Sequence, residues 1–303
     1  MSTLFLFGAG ASRFSGECDP YPPPLGPDLF KDLQAAGGVA AHLDPSWTTA
    51  FAHNFEEAML QFARTREHEL SQFLRDIALY FVAFAPGPKN LYVRLLEALP
   101  EKRRRFAVFA TLNYELLLEL AANKLGYAVS YRLPPIAKDN IAILKPHGSC
   151  NFLPDLGGLQ IRGITFETAG LARTAVEAPV KAATRDEVRQ FCLHEDSIAP
   201  ALAIYAPGKQ VFYSNEFVQD QQRQFEHAVL NTSRIYVAGV HVNPGDAHIW
   251  GPLANARAPI FYVGPDSAPF YDWAESLGRR HLVSHFAHTF EGFVINAEKG
   301  MIR

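Results

Sequence analysis

Three short stretches of this chain combine residue types able to hold and act on a nucleotide, and each follows an apolar run. Gly8-Ala9-Gly10-Ala11-Ser12 comes directly after Thr3–Phe7. Two glycines at this spacing let a backbone turn tightly and approach a diphosphate, whose charge N–H groups can hold. The third glycine of the usual dinucleotide fingerprint is missing, and a plain tight turn is the competing reading. Thr111-Leu112-Asn113-Tyr114-Glu115 follows Phe106–Ala110. An asparagine there can hold ribose hydroxyls or a water without carrying charge, and it can equally start the next helix as a cap. Lys145-Pro146-His147-Gly148-Ser149 follows Ile141–Leu144. Histidine is the natural base near neutral pH, Pro146 stiffens its approach, and Gly148 lets another group pack close to the imidazole.

The elements that must position these residues read as strand, loop and helix in repetition. Thr3–Phe7, Phe106–Ala110, Ile141–Leu144, Ile235–Ala238 and Ile260–Val263 are continuous apolar runs of the kind that makes buried parallel strands. Pro27 sits at the favoured first position of a helix carrying Leu29, Phe30 and Leu33 on one face. Residues 54–99 read as helical almost throughout, opened by a capping-box pair, Asn54 and Glu57, and broken at Pro86-Gly87-Pro88. Further helices are expected over Leu116–Leu125, closed by Gly126, over Glu216–Leu230, and from Asp246. Residues 151–195 carry no clear pattern. The order predicts an α/β fold, a Rossmann-like doubly wound parallel sheet, with ligands at the carboxyl ends of its strands.

Composition restricts the function classes. At 303 residues, with 48% hydrophobic and 19% charged residues, the chain suits one large or two modest globular domains. A formal net charge of -3 gives no global attraction to nucleic acid. The basic cluster Lys102-Arg103-Arg104-Arg105 reads as a solvated turn ahead of a strand. No signal-peptide pattern precedes the first strand, and the longest apolar stretch, Ile77–Ala85, is too short to span a bilayer. Three scattered cysteines form neither a CxxC pair nor a disulfide framework, which predicts a reducing, cytoplasmic setting.

In this order, GAGAS, T-x-N-Y-[acidic] and K-x-H-G-S resemble the sirtuin-like NAD-consuming domains of bacterial antiphage defence. The segment Gly239-Val-His-Val-Asn-Pro-Gly-Asp246-Ala-His-Ile249 is similar to that family's late loop and helix start. The resemblance covers most of the chain, loosely over 40–100 and 151–200. It implies one sirtuin-like NAD-binding domain over residues 1–303 with a helical insertion at 40–100. It further implies Gly8, Ala9, Gly10, Ala11 and Ser12 at the diphosphate, Asn113 at the nicotinamide ribose and His147 as base. Thr111, Glu115, Gly148, Ser149, Gly239, His241 and Asp266 complete the implied NAD-binding set. Gly239 and Asp266 fall on the adenosine side, where an acidic residue can accept from ribose hydroxyls, although solvation accounts for Asp266 equally well.

The chain departs from the family pattern in three places. Glu115 stands where aspartate is usual. Arg13-Phe14 and the loop Tyr21–Gly26 replace the segment that shapes the nicotinamide pocket of protein deacylases. The deacylases' four-cysteine zinc module is missing, so no metal is expected. The implied activity is NAD hydrolysis to ADP-ribose and nicotinamide, as a gated effector that depletes NAD in abortive infection. Low basal activity is expected, together with a homo-oligomer or a defence partner such as a HerA-type translocase or a short Argonaute. The helical block is the expected assembly surface, with plain sheet cover as the alternative. Direct nucleic-acid or membrane binding is not expected. The rival activities are a zinc-free deacylase or ADP-ribosyltransferase, and a non-catalytic NAD or ADP-ribose sensor that regulates a partner.

Overall fold

The computed structural model describes residues 2–302 except 136–139, 156, 158–161, 166–174, 196–197, 205–209 and 212–213. The unpatterned stretch 151–195 therefore lies partly outside the described residues. Seven strands form one wholly parallel sheet. They are β1 (Thr3–Phe7), β2 (Ala107–Thr111), β3 (Ala128–Ser130), β4 (Asn140–Leu144), β5 (Arg234–Ala238), β6 (Ile260–Val263) and β7 (Val283–Ala287). Their spatial order is β7-β6-β5-β1-β2-β4-β3. The chain leaves β1 toward β2 and later returns to β5 on its other side. The strand order thus reverses between β1 and β5, which is where such sheets open a ligand crevice. The expected Rossmann-like α/β arrangement is present.

Alternation along β1 explains the two layers. Phe5 and Phe7 point into one apolar core, whereas Leu4 and Leu6 point into another on the opposite face. Continuous apolar strands are what a sheet covered on both sides requires. On the Phe5 face lie α1 (Ala9–Arg13), α2 (Gly26–Ala36), α3 (Gly38–Ala41), α4 (Pro45–His53), α5 (Phe55–Thr65), α6 (Glu67–Phe81) and α7 (Leu91–Ala98). Phe30 stacks on Phe51 with ring centroids 4.0 Å apart, and Phe73 packs on Phe62 at 4.8 Å, so the helices from α2 to α6 carry an aromatic core of their own. Asn54 accepts from the Glu57 N–H at 3.2 Å, as the capping pattern requires.

The short α8 (Glu101–Phe106) and α9 (Leu117–Lys124) flank β2, α10 (Arg185–His194) packs on α6, and α11 (Asn215–Asn231), α12 (Ala247–Asn255) and α13 (Ala268–Ser276) cover the Leu4 face. The closing helix α14 (Phe290–Glu298) returns to the Phe5 face against α7. The basic cluster is helix rather than turn: Pro100 caps α8, and Arg104 lies over the Tyr127 ring at 4.9 Å. No helix among the described residues is long and apolar enough to cross a membrane.

Candidate functional site

Register brings the chemical residues to one level. Phe7 pairs with Thr111 and with Ala238, Ala110 with Leu144, and Ala238 with Val263. The residues that follow these strands therefore emerge together along one edge of the sheet. There they line a cavity of about 580 Å³ that includes Gly8, Ala9, Gly10, Asn113, His147, Gly239, His241 and Asp266. Of the residues expected from the sequence, these eight reach the cavity. Ala11, Ser12, Thr111, Glu115, Gly148 and Ser149 do not line it and are buried behind it. The cavity also takes in Phe14, Leu25, Gly26, Asn243, Asp246 and Tyr262, which sequence reasoning left outside the site. A signal for Asp246 existed, since it heads α12 directly after β5's loop.

The glycines serve a purpose different from the one expected. The Gly8 N–H donates to the Ala238 carbonyl and the Gly10 N–H to the Gly239 carbonyl, both at 3.0 Å, and the Ala11 N–H returns to Gly8. These donors are spent within the protein, so the diphosphate cradle expected of them is not formed by these three groups. What the glycines provide is close approach. A Cβ at Gly8 would stand 2.5 Å from the Gly239 oxygen, and one at Gly239 would stand 2.1 Å from the Ala11 nitrogen. Gly239 also has φ +64°, a left-handed conformation costly for other residues. The start of α1 and the loop after β5 interlock here, and the crevice floor is bare backbone.

Behind the floor lies a polar hub. The Ser12 hydroxyl donates to Glu115 Oε1 at 2.6 Å and accepts from Asn113 Nδ2 at 2.7 Å. Its other neighbour, the Tyr92 hydroxyl, is 2.9 Å away and donates to it once the single Ser12 proton is given to Glu115. Asn113 Nδ2 also donates to the Gly8 carbonyl at 3.1 Å. Both Nδ2 protons are thus committed, and Asn113 can offer a ligand its carbonyl oxygen, an acceptor suited to hydroxyls. Asn113 is not the helix cap. Leu116 holds the cap position, and the Glu115 carboxylate one residue before it accepts from the Leu117 N–H at the start of α9.

Glu115 is therefore corrected from ligand contact to bracket. At 3% exposure it holds Ser12 and α9. Burial pushes its carboxyl above the usual range, against the opposing pull of Lys145. Ser12 likewise acts on the cavity only through Asn113. The Lys145 ammonium, fully buried, donates to the Glu115 main-chain oxygen at 2.6 Å and pairs with Glu119 at 2.9 Å. A buried ion pair of this kind tolerates loss of neither partner.

His147 reaches the cavity through a clamped backbone. The Ala203 N–H donates to the His147 carbonyl at 2.9 Å, the Ser149 N–H to Ala201 at 3.2 Å, and Gln222 Nε2 to the Pro146 carbonyl at 3.1 Å. Gly148, at φ +78°, is pressed against this partner segment, and a Cβ there would lie 2.0 Å from the Ala201 oxygen. The close neighbour of Gly148 is thus a protein carbonyl, not a group beside the imidazole. The His147 ring is nearly buried and faces the His248 ring at 5.0 Å. At the far end, the Asp266 carboxylate lines the cavity while also accepting from the Ala268 N–H at 2.9 Å. Among the described residues no lysine or arginine lines the cavity, and no group of three or more metal-ligating side chains occurs.

An Asn acceptor and a His base at one crevice, with a glycine floor and carboxylates beyond, can orient a polyhydroxyl ligand and remove a proton from it. No protein-family model matches the chain, and no curated protein matches it significantly.

Proposed function

We propose that the switch-point cavity takes NAD and hydrolyses the bond between nicotinamide and ribose, releasing ADP-ribose and nicotinamide. The observation that carries this reading is the convergence of Asn113 and His147, from the ends of two different strands, on one crevice floored by Gly8, Gly10 and Gly239. The cavity's size falls within the range of small-molecule sites. Its bare backbone floor leaves space for a diphosphate close to the main chain, and His147 and His241 are the lining side chains able to carry positive charge. The Asp266 carboxylate suits ribose hydroxyls on the adenosine side.

The chemistry asks little of a general acid. The nicotinamide ring nitrogen carries a positive charge in NAD. It therefore takes the bonding pair as its bond to the ribose breaks, and the ring leaves as a neutral molecule. The protein's tasks are to hold the ribose and to supply a nucleophile to its anomeric carbon. Asn113, fixed by Ser12 and Gly8, presents its carbonyl oxygen to a ribose hydroxyl or to the attacking water. His147, fixed by the clamp from 201–203, takes the proton that water gives up as the new C–O bond forms. General-base assistance of this kind is worth on the order of 10²–10⁴ in rate. Asn113 and His147 are the catalytic residues of this reading.

Unrestrained hydrolysis of NAD would starve the cell that makes the enzyme. Control by self-assembly or by a companion defence protein belongs to the same proposal, on the strength of the sequence resemblance. The test is to incubate the protein with NAD, alone and with the product of the neighbouring gene, and to follow nicotinamide and ADP-ribose by chromatography. Release that Asn113→Ala abolishes is the expected result. Tight NAD binding with no release under either condition contradicts hydrolysis and favours a sensor. Release only when an acylated peptide or an ADP-ribose acceptor is added favours a transferase.

A further inference from the structure

The strand order says how a dinucleotide would lie in the cavity. Asn113 follows β2, Gly8 and Gly10 follow β1, Gly239 follows β5 and Asp266 follows β6. These four strands are neighbours in the order β2-β1-β5-β6. Neighbouring strands lie about 4.8 Å apart, which separates β2 from β6 by about 14 Å. A dinucleotide with its first ribose at Asn113 thus carries its diphosphate over the glycine floor and its second ribose to Asp266.

Asp266 is exposed, so its carboxylate is open to a ligand. One oxygen accepts from the Ala268 N–H at 2.9 Å, and the other has no donor among the described residues. None of the ion pairs among the described residues includes Asp266. Its charge is felt in the cavity wall, where burial first, and the Asp266 carboxylate after it, push the Tyr262 hydroxyl above its usual range. Asp246 adds a second carboxylate to the lining, and among the described residues no lysine or arginine joins them there.

A carboxylate without a cation favours hydroxyls and opposes phosphate. The 2′ and 3′ hydroxyls of a ribose each present a proton that its oxygens can accept in a charge-assisted hydrogen bond. A phosphate monoester in place of one of them carries a charge of about −1.5 to −2 near pH 7. Beside Asp266 that group meets like charge, and the donor of the lost hydroxyl is missing as well.

We infer that Asp266 selects the dinucleotide by its adenosine ribose, admitting NAD, whose 2′ and 3′ hydroxyls are free, and rejecting NADP, whose 2′ position carries a phosphate. The inference rests on the NAD reading of this cavity. It concerns binding alone, and holds whether or not the bound molecule is then hydrolysed.

ADP-ribose and ADP-ribose 2′-phosphate are suitable probes, because neither contains the bond to nicotinamide and neither is consumed. Calorimetric titration of the whole protein should show ADP-ribose binding at least tenfold tighter than its 2′-phosphate. Asp266→Asn keeps an acceptor for the Ala268 N–H and removes the charge. It should narrow the gap to threefold or less, chiefly by tighter binding of the 2′-phosphate. Asp266→Arg should reverse the preference. Equal binding of the two probes by the native protein overturns the inference and leaves the NAD reading standing. A gap that survives Asp266→Asn unchanged overturns it too, because the selection then lies elsewhere in the cavity. If neither probe binds, the NAD reading falls and takes the inference with it. If the probes bind with the expected preference but NAD is not cleaved, the inference stands and only the hydrolysis falls.

Discussion

Replacing Ser12 by alanine removes one hydroxyl on which three side chains converge. Glu115 Oε1 loses a donor at 2.6 Å, Asn113 Nδ2 loses an acceptor at 2.7 Å, and the Tyr92 hydroxyl loses its neighbour at 2.9 Å. Glu115 and Tyr92 are 3% and 1% exposed, so water does not readily replace the missing partner. A hydrogen bond to a charged or buried group is worth about 1.5–3 kcal/mol, and a neutral half-exposed one about 1 kcal/mol. Asn113 keeps its bond to the Gly8 carbonyl, which limits its share. These losses are not independent, so the expected destabilisation is about 2–4 kcal/mol. Urea denaturation followed by circular dichroism measures it. A double-mutant cycle with Glu115→Gln should return a coupling of about 1–2 kcal/mol between the two positions. If Ser12→Ala loses less than about 0.5 kcal/mol, a change typical of a surface site, the hub is not holding the crevice floor.

Two further consequences follow from the same region. Gly239→Ala must place a Cβ 2.1 Å from the Ala11 nitrogen at φ +64°, so α1 and the loop after β5 have to separate. A loss of about 3 kcal/mol or more is expected, together with loss of NAD binding, whereas Gly251→Ala, with open space around it, should be close to neutral in the same denaturation assay. Burial raises the folded-state carboxyl of Glu115 above its ordinary 4.5. The folded protein therefore holds that proton more tightly than the unfolded chain, and this group's contribution to stability falls as pH rises from about 4.5 through the raised value. Glu115→Gln, which cannot ionise, should gain stability relative to the native protein over that window. A stability difference that stays flat with pH, or slopes the other way, would sink the assignment.

Much of this arrangement was legible in the sequence, for physical reasons that can be named. Strands covered on both faces must be apolar throughout, so Thr3–Phe7 and Ile260–Val263 declared themselves with the bounds the structure gives them. The edge strands did not. Ala128–Ser130 is three residues long, and Val283–Ala287 is interrupted by Ser284 and His285, which edge positions tolerate. Pro100 with Glu101 was a helix-start signal that the basic residues after it obscured. At the site, strand ends pointed to Asn113 and His147, which line the crevice, whereas their polar neighbours Thr111, Glu115 and Ser149 are buried behind it.

The tasks of their neighbours were not legible. Glycine spacing does not distinguish a phosphate cradle from a close backbone crossing, and here Gly239, distant in sequence, decides for the crossing. Nor does sequence proximity reveal that Glu115 turns to hold the start of α9 and Ser12, or that residues 201–203 clamp the His147 loop. The contacts of Glu115 with Ser12 and of 201–203 with the His147 loop are long-range and have no local pattern.

In the proposed hydrolysis His147 acts on the reaction and not on binding. It is tested most directly by measuring NAD affinity and single-turnover nicotinamide release side by side for the native protein and His147→Ala, with any required partner present. Affinity within a few-fold of native and release slower by on the order of 10²–10⁴ are expected. Release at the native rate in His147→Ala would contradict it.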